Sequence, residues 1–204
     1  MRNCQIIFVL IFLIGNVMSS CKPTHNKLKQ EQAVLSQSND NDTASRIKKL
    51  IGDAYTVVIC VRHAEKQPEG KDPSLTKEGH QRAQELSRIF DDIKIDAILS
   101  TEYNRTQETV RPLSNKKNVD VSLYNPRDLK AFAADIKKNY IGKYTLISGH
   151  SNSTPQFINA MMGRKELENI AHEDYDNMYV TILDDNGEIT ELHLVQYGAE
   201  SVLH

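Results

Sequence analysis

The segment Tyr55–Val61 most constrains the fold, because it is short and almost continuously apolar. Its sequence, YTVVICV, is rich in β-branched residues and shows no alternation of apolar and polar side chains. A strand of this kind is buried on both faces, which is typical of parallel sheets that helices cover on both sides. The chain is therefore predicted to contain an α/β domain.

The rest of the sequence alternates strand and helix patterns as such a domain requires. Further strands are predicted at residues 96–100, 144–148, 178–183 and 189–195, and helices at 75–90, 129–140 and 155–162. Another helix begins near Asn104 and is expected to stop or kink around Pro112. Asn186-Gly187 predicts a hairpin between the last two strands. We therefore expect a three-layer α/β/α sandwich with a mostly parallel, mixed central sheet.

The N-terminus predicts export. Arg2 precedes the apolar run Ile6–Ile14, which at about 1.5 Å per residue is too short to cross a hydrocarbon core of about 30 Å. A basic start and a short apolar run describe a secretory signal peptide, here residues 1–20. Small residues end it directly before Cys21, which resembles a bacterial lipoprotein signal whose cysteine is lipidated. We expect a protein held by this lipid on the periplasmic or surface side of a bacterial membrane; a plain cleaved signal is the alternative.

Composition divides the rest of the chain into a linker and a domain, and it excludes some functions. Residues 21–50 are mostly polar and predict a linker, with a short helix over 48–51, before a domain at 51–204. The formal net charge of −2 provides no basic field for nucleic acid, so we expect no nucleic-acid partner. Three cysteines do not make a disulfide framework, and Cys60 is expected to be an inert core residue.

Two predicted strands end in similar polar sequences. Tyr55–Val61 runs into Arg62-His63-Ala64-Glu65, and the strand at 144–148 runs into Gly149-His150-Ser151-Asn152. Ligands of open α/β sheets bind beyond the carboxyl ends of the strands, so neighbouring strands would place both histidines in one crevice. Arg105 follows a third strand and is expected at the same edge.

Two arginines and two histidines around one point suit a tetrahedral dianion. Guanidinium groups match phosphate oxygens, and a neutral imidazole can attack phosphorus to form a phosphohistidine that water cleaves. The second histidine and the amides after it, including those of Ser151 and Asn152, would donate to the phosphate oxygens. This chemistry needs no metal or other cofactor, and no histidine pair has H-x-x-x-H spacing.

These blocks resemble the histidine phosphatase superfamily, whose fold is phosphoglycerate mutase-like. Arg62-His63-Ala64 is similar to its R-H-G motif, with alanine in place of glycine, and the similarity continues through residues 75–83, 100–109 and 147–152. The resemblance implies that His63 is the nucleophile and that Arg62, Arg105 and His150 complete the phosphate pocket. The family's general acid does not carry over, because Ser151 follows His150. Glu65 is the first candidate, and Asp128 and Asp72 are the next two.

The predicted function is therefore a lipid-anchored, metal-independent phosphatase that acts through phospho-His63. Its substrate would be a phosphorylated small molecule or phosphoprotein, carrying a phosphomonoester, a phosphoramidate or an acyl phosphate. Two alternatives use the same residues: a catalytically silent phosphate-binding lipoprotein and a phosphomutase. The domain is short and has little inserted sequence from which to build the lid that a mutase needs.

Overall fold

The computed structural model of the protein describes residues 43–201. Five helices in this part of the chain are α1 (Thr43–Ile51), α2 (Lys77–Ile89), α3 (Asn104–Lys117), α4 (Leu129–Asn139) and α5 (Ser153–Met162). Six strands are β1 (Thr56–Arg62), β2 (Ala97–Ser100), β3 (Val121–Leu123), β4 (Tyr144–Gly149), β5 (Asn177–Leu183) and β6 (Ile189–Gln196).

All six strands form one sheet in the order β3-β2-β4-β1-β5-β6. The first four strands of this order are parallel, whereas β5 pairs antiparallel with both β1 and β6. The sheet is therefore mixed, and the predicted fold class is confirmed. Arg62 lies beside Gly149, and Ser100 lies beside Ser148. The register thus aligns the carboxyl ends of β1, β4 and β2 at one edge.

Helices cover both faces of the sheet, and β1 contributes to both of the resulting cores. Val57, Ile59 and Val61 pack in one core with residues of α1, α2 and α3. Val58 and Cys60 face the other core, which contains residues of α4 and α5. Every residue of β1 is buried, as its unalternating sequence predicts.

Most predicted helix ends agree with the structure. Thr76 caps α2 by accepting from the amide of Gly79, and Gly163 ends α5 with a φ of 66°. Of the predicted stop or kink near Pro112, the stop is wrong, because α3 continues to Lys117 and ends at Asn118 with a left-handed φ of 52°. Val110 and Leu113 are buried on either side of the proline, so tertiary packing sustains a helix that local preference would end.

Helix α1 extends the folded domain into the stretch predicted to be linker. The helix begins at Thr43 rather than near Lys48, and Ile47 and Ile51, one turn apart, are both buried. Lys48 also donates to Asp92 at 3.1 Å. Ala44 and Leu50 also pack against this core, so the apolar side of the helix places it on the domain.

The predicted signal peptide, Cys21 and the linker up to residue 42 lie outside the described residues. Lipid anchoring therefore stays a prediction. Among residues 43–201, none of the helices combines the length and apolar character that crossing a bilayer requires.

We predict that Ile47→Ala lowers the free energy of unfolding by about 3 kcal/mol, since it opens a cavity in a close-packed core. Urea denaturation monitored by circular dichroism measures this change. Leu123→Ala is the matched control, because Leu123 is 59% exposed in an edge strand. An equal effect of the two substitutions would show that α1 does not pack as described.

Candidate active site

Strands β1 and β4 bring the two predicted histidines together. The amide of His63 donates to the carbonyl of Gly149 at 2.9 Å, which extends the parallel ladder one residue beyond β1. The ring centroids of His63 and His150 are 5.6 Å apart, and the planes are inclined at 68°. The predicted meeting of the two strand ends is therefore present in the structure.

The hydrogen bonds of His63 determine which of its ring nitrogens is free. Nδ1 lies 2.8 Å from the backbone oxygen of Ala64. A carbonyl can only accept, so we assign the proton to Nδ1. Nε2 then carries the lone pair. The side chain is buried and held by backbone, as a nucleophile that must keep one orientation requires.

His150 has the opposite tautomer. Its Nδ1 lies 3.4 Å from Nη2 of Arg105, and its Nε2 lies 3.0 Å from the hydroxyl of Thr101. A guanidinium only donates, so Nδ1 accepts and Nε2–H donates to Thr101. The Thr101 hydroxyl is hydrogen-bonded to the Thr106 hydroxyl at 2.8 Å, and the Thr106 hydroxyl also donates to the carbonyl of Tyr103. An ordered chain of donors thus fixes the second ring.

Both imidazoles are held in the neutral form. Burial, together with the positive charges of Arg62 and Arg105, lowers the pKa of His63 to about 3. Burial and the same arginines lower the pKa of His150 to about 4. Desolvation and nearby cations both disfavour a protonated ring. Nε2 of His63 therefore carries a free lone pair near neutral pH without a base to deprotonate it.

Arg62 is fixed by backbone carbonyls on the loop between α5 and β5. Its Nη1 donates to Ala171 and His172 at 2.8 Å and to Asp174 at 2.9 Å. The ring of Tyr175 lies 4.2 Å from the guanidinium carbon, a cation–π distance. Within the described residues, Nη2 of Arg62 has no hydrogen-bond acceptor, so its N–H groups can donate to an anion.

Arg105 is held less firmly on the opposite side of the crevice. Its Nη1 lies 3.5 Å from Asp72 Oδ1, and the ring of Tyr103 lies 4.4 Å from its guanidinium carbon. The bonds to Asp72 and His150 are both long, so an anion can replace them at small cost. Each of the two arginines thus packs on one tyrosine.

Several buried polar atoms at this edge have no partner in the described part of the chain. They include Nε of Arg62, Nε of Arg105 and the hydroxyl of Ser148. Leaving a buried polar group unpaired costs about 1–3 kcal/mol, and more for charged groups. Such atoms concentrate where a ligand completes the hydrogen bonding. Their position around two neutral imidazoles indicates a site for an anion.

The three candidate acids have different surroundings. Both carboxylate oxygens of Glu65 accept from Arg82, at 2.7–3.1 Å. Asp128 caps α4 by accepting from the amide of Ala131 at 3.1 Å. Asp72 is the candidate that contacts a residue of the phosphate pocket, Arg105. Glu65, the first choice from sequence, is thus occupied by an ion pair.

Two amides next to the predicted donors Ser151 and Asn152 are paired within the protein. Ser153 Oγ accepts from the amide of His150 at 3.0 Å, and Asn152 Oδ1 accepts from the amide of Ser153 at 2.8 Å. The amides of His150 and Ser153 are therefore unavailable to a ligand, whereas donation by the amides of Ser151 and Asn152 stays a prediction. Ser151 uses its carbonyl to accept from Ile170 at 2.8 Å. The helix dipole of α5 still favours an anion near its N-terminus.

Sequence analysis missed several residues that hold the site. Thr101 could have been found by the reasoning that located Arg105, because it directly follows β2. Thr109 accepts from the amide of Ala64 at 2.9 Å. Tyr175 and the carbonyls at 171–174 have no signal in the sequence, since any residue can supply a carbonyl.

No metal site accompanies these residues in the part of the chain that the structure describes. Between residues 43 and 201, no group of three or more His, Cys, Asp or Glu side chains could hold a metal ion. Cys60 is enclosed in the core, and burial raises the pKa of its thiol, which makes it a poor nucleophile.

Residues 58–125 match the histidine phosphatase superfamily (branch 1). The matched segment includes Arg62, His63 and Arg105, whereas His150 lies beyond it. None of the curated proteins has a significant sequence match to this chain. The predicted resemblance to the superfamily is thus confirmed in the segment that carries three of its four motif residues.

Solved structures with the same fold include three phosphatases. The protein histidine phosphatase SixA complexed with tungstate has a TM-score of 0.55 and 12% identity, over 69% of this chain and 96% of that one. A mycobacterial glucosyl-3-phosphoglycerate phosphatase has a TM-score of 0.55 and 10% identity, over 71% and 99%. Phosphoserine phosphatase from Entamoeba histolytica has a TM-score of 0.52 and 15% identity, over 71% and 97%. At these identities the likeness establishes the fold.

We predict that both rings stay neutral at about pH 5, where a histidine in a free peptide, with a pKa of about 6.5, is mostly protonated. NMR of the imidazole nitrogens during an acid titration measures this. Adding inorganic phosphate should raise both pKa values, because a dianion beside the rings favours their protonated forms. Ordinary titration near pH 6.5 without phosphate would contradict the burial described.

Proposed function

We propose that the protein is a phosphatase that transfers the phosphoryl group of its substrate to Nε2 of His63 and then to water. The observation that carries this proposal is the pair of neutral imidazoles, 5.6 Å apart, between two arginines whose donors are incompletely paired. A dianion supplies the acceptors that this arrangement lacks. A neutral Nε2 supplies the nucleophile.

The hydrogen bond from His63 to Ala64 directs the first step. With the proton on Nδ1, the lone pair of Nε2 attacks phosphorus, and the bond from phosphorus to the leaving atom breaks. Positive charge develops on the ring and is stabilised through the Nδ1–H donor bond to the carbonyl. A water molecule then attacks the phosphohistidine, releases phosphate and restores the neutral ring.

Arg62 and Arg105 hold the group that is transferred. Nη2 of Arg62 is preorganised, because the three carbonyls fix Nη1 of the same plane. Arg105 exchanges its long contacts with Asp72 and His150 for phosphate oxygens. The dianion favours a protonated His150, whose Nδ1–H then donates to a phosphate oxygen as well.

Asp72 is the carboxyl group that we propose for assisting the leaving group. Its Oδ1 accepts from the amide of Asn104 at 3.0 Å. The Asp72 side chain is 39% exposed beside Arg105. Glu65 and Asp128 are committed to Arg82 and to the cap of α4. A weak acid suffices where the leaving group is already good, as in a phosphoramidate or an acyl phosphate.

The names of the structural relatives support a phosphorylated protein or small metabolite as the substrate class. SixA is named for phosphohistidine in proteins, and the other two for phosphoserine and for a phosphoglycerate derivative. All of these carry one terminal phosphate on a different leaving group. The arginines and histidines of the pocket would contact only this phosphate, whichever leaving group carries it.

We predict that His63→Ala lowers the turnover of para-nitrophenyl phosphate by a factor of roughly 1,000 or more, because the nucleophile is removed. Release of phosphate is measured with and without a metal chelator, which should have no effect. His80→Ala is the matched control, since His80 is an exposed histidine on α2.

The result also separates the alternatives. A folded wild type that binds phosphate or tungstate but turns nothing over would be a phosphate-binding protein. Equal activity of His63→Ala and wild type would refute the phosphohistidine step. Trapping of radiolabelled phosphate on wild type, by rapid acid-free denaturation, tests the covalent intermediate directly.

We predict that Asp72→Asn discriminates between leaving groups. Loss of a proton donor should lower kcat about 100-fold for an alkyl phosphate and by less than about threefold for para-nitrophenyl phosphate. Steady-state kinetics on both substrates measures the ratio. An equal loss on both substrates would assign Asp72 to the positioning of Arg105 instead, and Asp128→Asn provides the control carboxylate.

A further inference from the structure

Arg82 is a buried cation that touches neither histidine, yet it joins two segments that both contact the site. Only 4% of the residue is exposed. Its guanidinium donates to both carboxylate oxygens of Glu65, and also to the carbonyls of Tyr197 and Ala199 at 2.7 and 2.8 Å. We propose that Arg82 is a positioning residue that, through Glu65 and residues 197–201, sets the orientation of the His63 ring.

The connection to His63 runs through one peptide group. The carbonyl that accepts from Nδ1 of His63 belongs to Ala64, and its peptide bond leads directly to Glu65. The orientation of this carbonyl therefore depends on where Glu65 is held. Displacement of Glu65 turns the acceptor away and weakens the preference for the Nδ1–H tautomer, on which the free Nε2 depends.

Helix α2 holds Glu65 at two points. At its N-terminal end the amide of Thr76 donates to the Glu65 carbonyl at 2.9 Å. A Cβ atom at Gly79 would lie 2.2 Å from the same oxygen, so only glycine allows this approach. One turn further on, Arg82 binds the carboxylate. Backbone and side chain are thus both fixed to one rigid element.

The segment 197–201 connects Arg82 to the residues beside Arg62. The hydroxyl of Ser201 accepts from the amide of Tyr175 at 2.9 Å, and the amide of Ser201 donates to Asp176 at 3.2 Å. Tyr175 packs on Arg62. The same short segment is therefore bonded to Arg82 beside the nucleophile and to the residue that supports the phosphate-binding arginine.

A lysine does not reproduce these contacts. Arg82 uses a planar fork to bind two carboxylate oxygens and two carbonyls at once, whereas an ammonium is a single point charge. Gly198, with a φ of 72°, leaves space that a Cβ would fill 3.0 Å from Nη1 of Arg82. The pocket is thus shaped for the guanidinium.

The proposal rests on the proposed phosphatase function for its kinetic test, and on NMR for a test that needs no turnover. Arg82→Lys should lower kcat for para-nitrophenyl phosphate about 10-fold or more and change KM by less than about twofold. The imidazole nitrogen shifts of His63 should move from the pure Nδ1–H pattern towards a mixture of tautomers. Arg164→Lys, at an exposed ion pair with Glu166, should change neither quantity.

Glu65→Gln provides the second variant if Arg82→Lys does not fold. It keeps the shape of Glu65 and removes the charge that Arg82 binds. The double variant should lose no more activity than Arg82→Lys alone, because both substitutions break the contact between Arg82 and Glu65. The loss should be equal for alkyl and aryl phosphates, whereas the loss of a general acid would be greater for the alkyl phosphate.

The outcomes distinguish this proposal from the function itself. An inactive wild type would refute the phosphatase, but the tautomer of His63 would still respond to Arg82→Lys if the positioning is correct. A folded Arg82→Lys with wild-type kcat and an unchanged His63 tautomer would overturn the proposal.

Discussion

The parallel pairing of β1 with β4 is the constraint on which the site depends. Two adjacent parallel strands end at one edge, so the residues that follow them meet without any long-range loop to guide them. The bond from the amide of His63 to the carbonyl of Gly149 continues this pairing to the residue that we propose as nucleophile. The core that buries every residue of β1 therefore also fixes the position of the reactive ring.

Electrostatics then gives the crevice its selectivity. Two guanidinium groups and two neutral imidazoles are confined in a poorly solvated space, where unpaired positive charge is costly. The histidines respond with lowered pKa values, but the arginines keep their charge. A dianion relieves this imbalance more completely than a monoanion does. This charge balance supports the proposal that the site binds a phosphomonoester.

The sequence predicted the elements that arise from local pattern and missed those that arise from packing. β1, its polar continuation and the hairpin at Asn186-Gly187 follow from periodicity and turn chemistry. The edge strand β3 was missed because its three residues, Val121–Leu123, carry no recognisable pattern. The continuation of α3 beyond Pro112 was missed because burial of its neighbours outweighs the local preference.

The residues of the candidate site also divide into those that local sequence predicts and those that only packing brings together. His63, His150, Arg62 and Arg105 were predictable because they follow strands and resemble a known motif. The ion pair of Glu65 with Arg82 was not predictable, since the two residues are 17 positions apart and only their three-dimensional arrangement brings them together. Sequence proximity to His63 favoured Glu65 as an acid, whereas in the structure both of its carboxylate oxygens accept from Arg82.

Because backbone carbonyls bind Arg62, the amino acids that supply those carbonyls can be substituted. Ala171, His172 and Asp174 hold the arginine with atoms that every amino acid possesses. Their side chains are consequently free to be exchanged, and that of His172 is 78% exposed beside the crevice. If the proposed function is correct, substitutions in this loop can change substrate preference while Arg62 keeps its position.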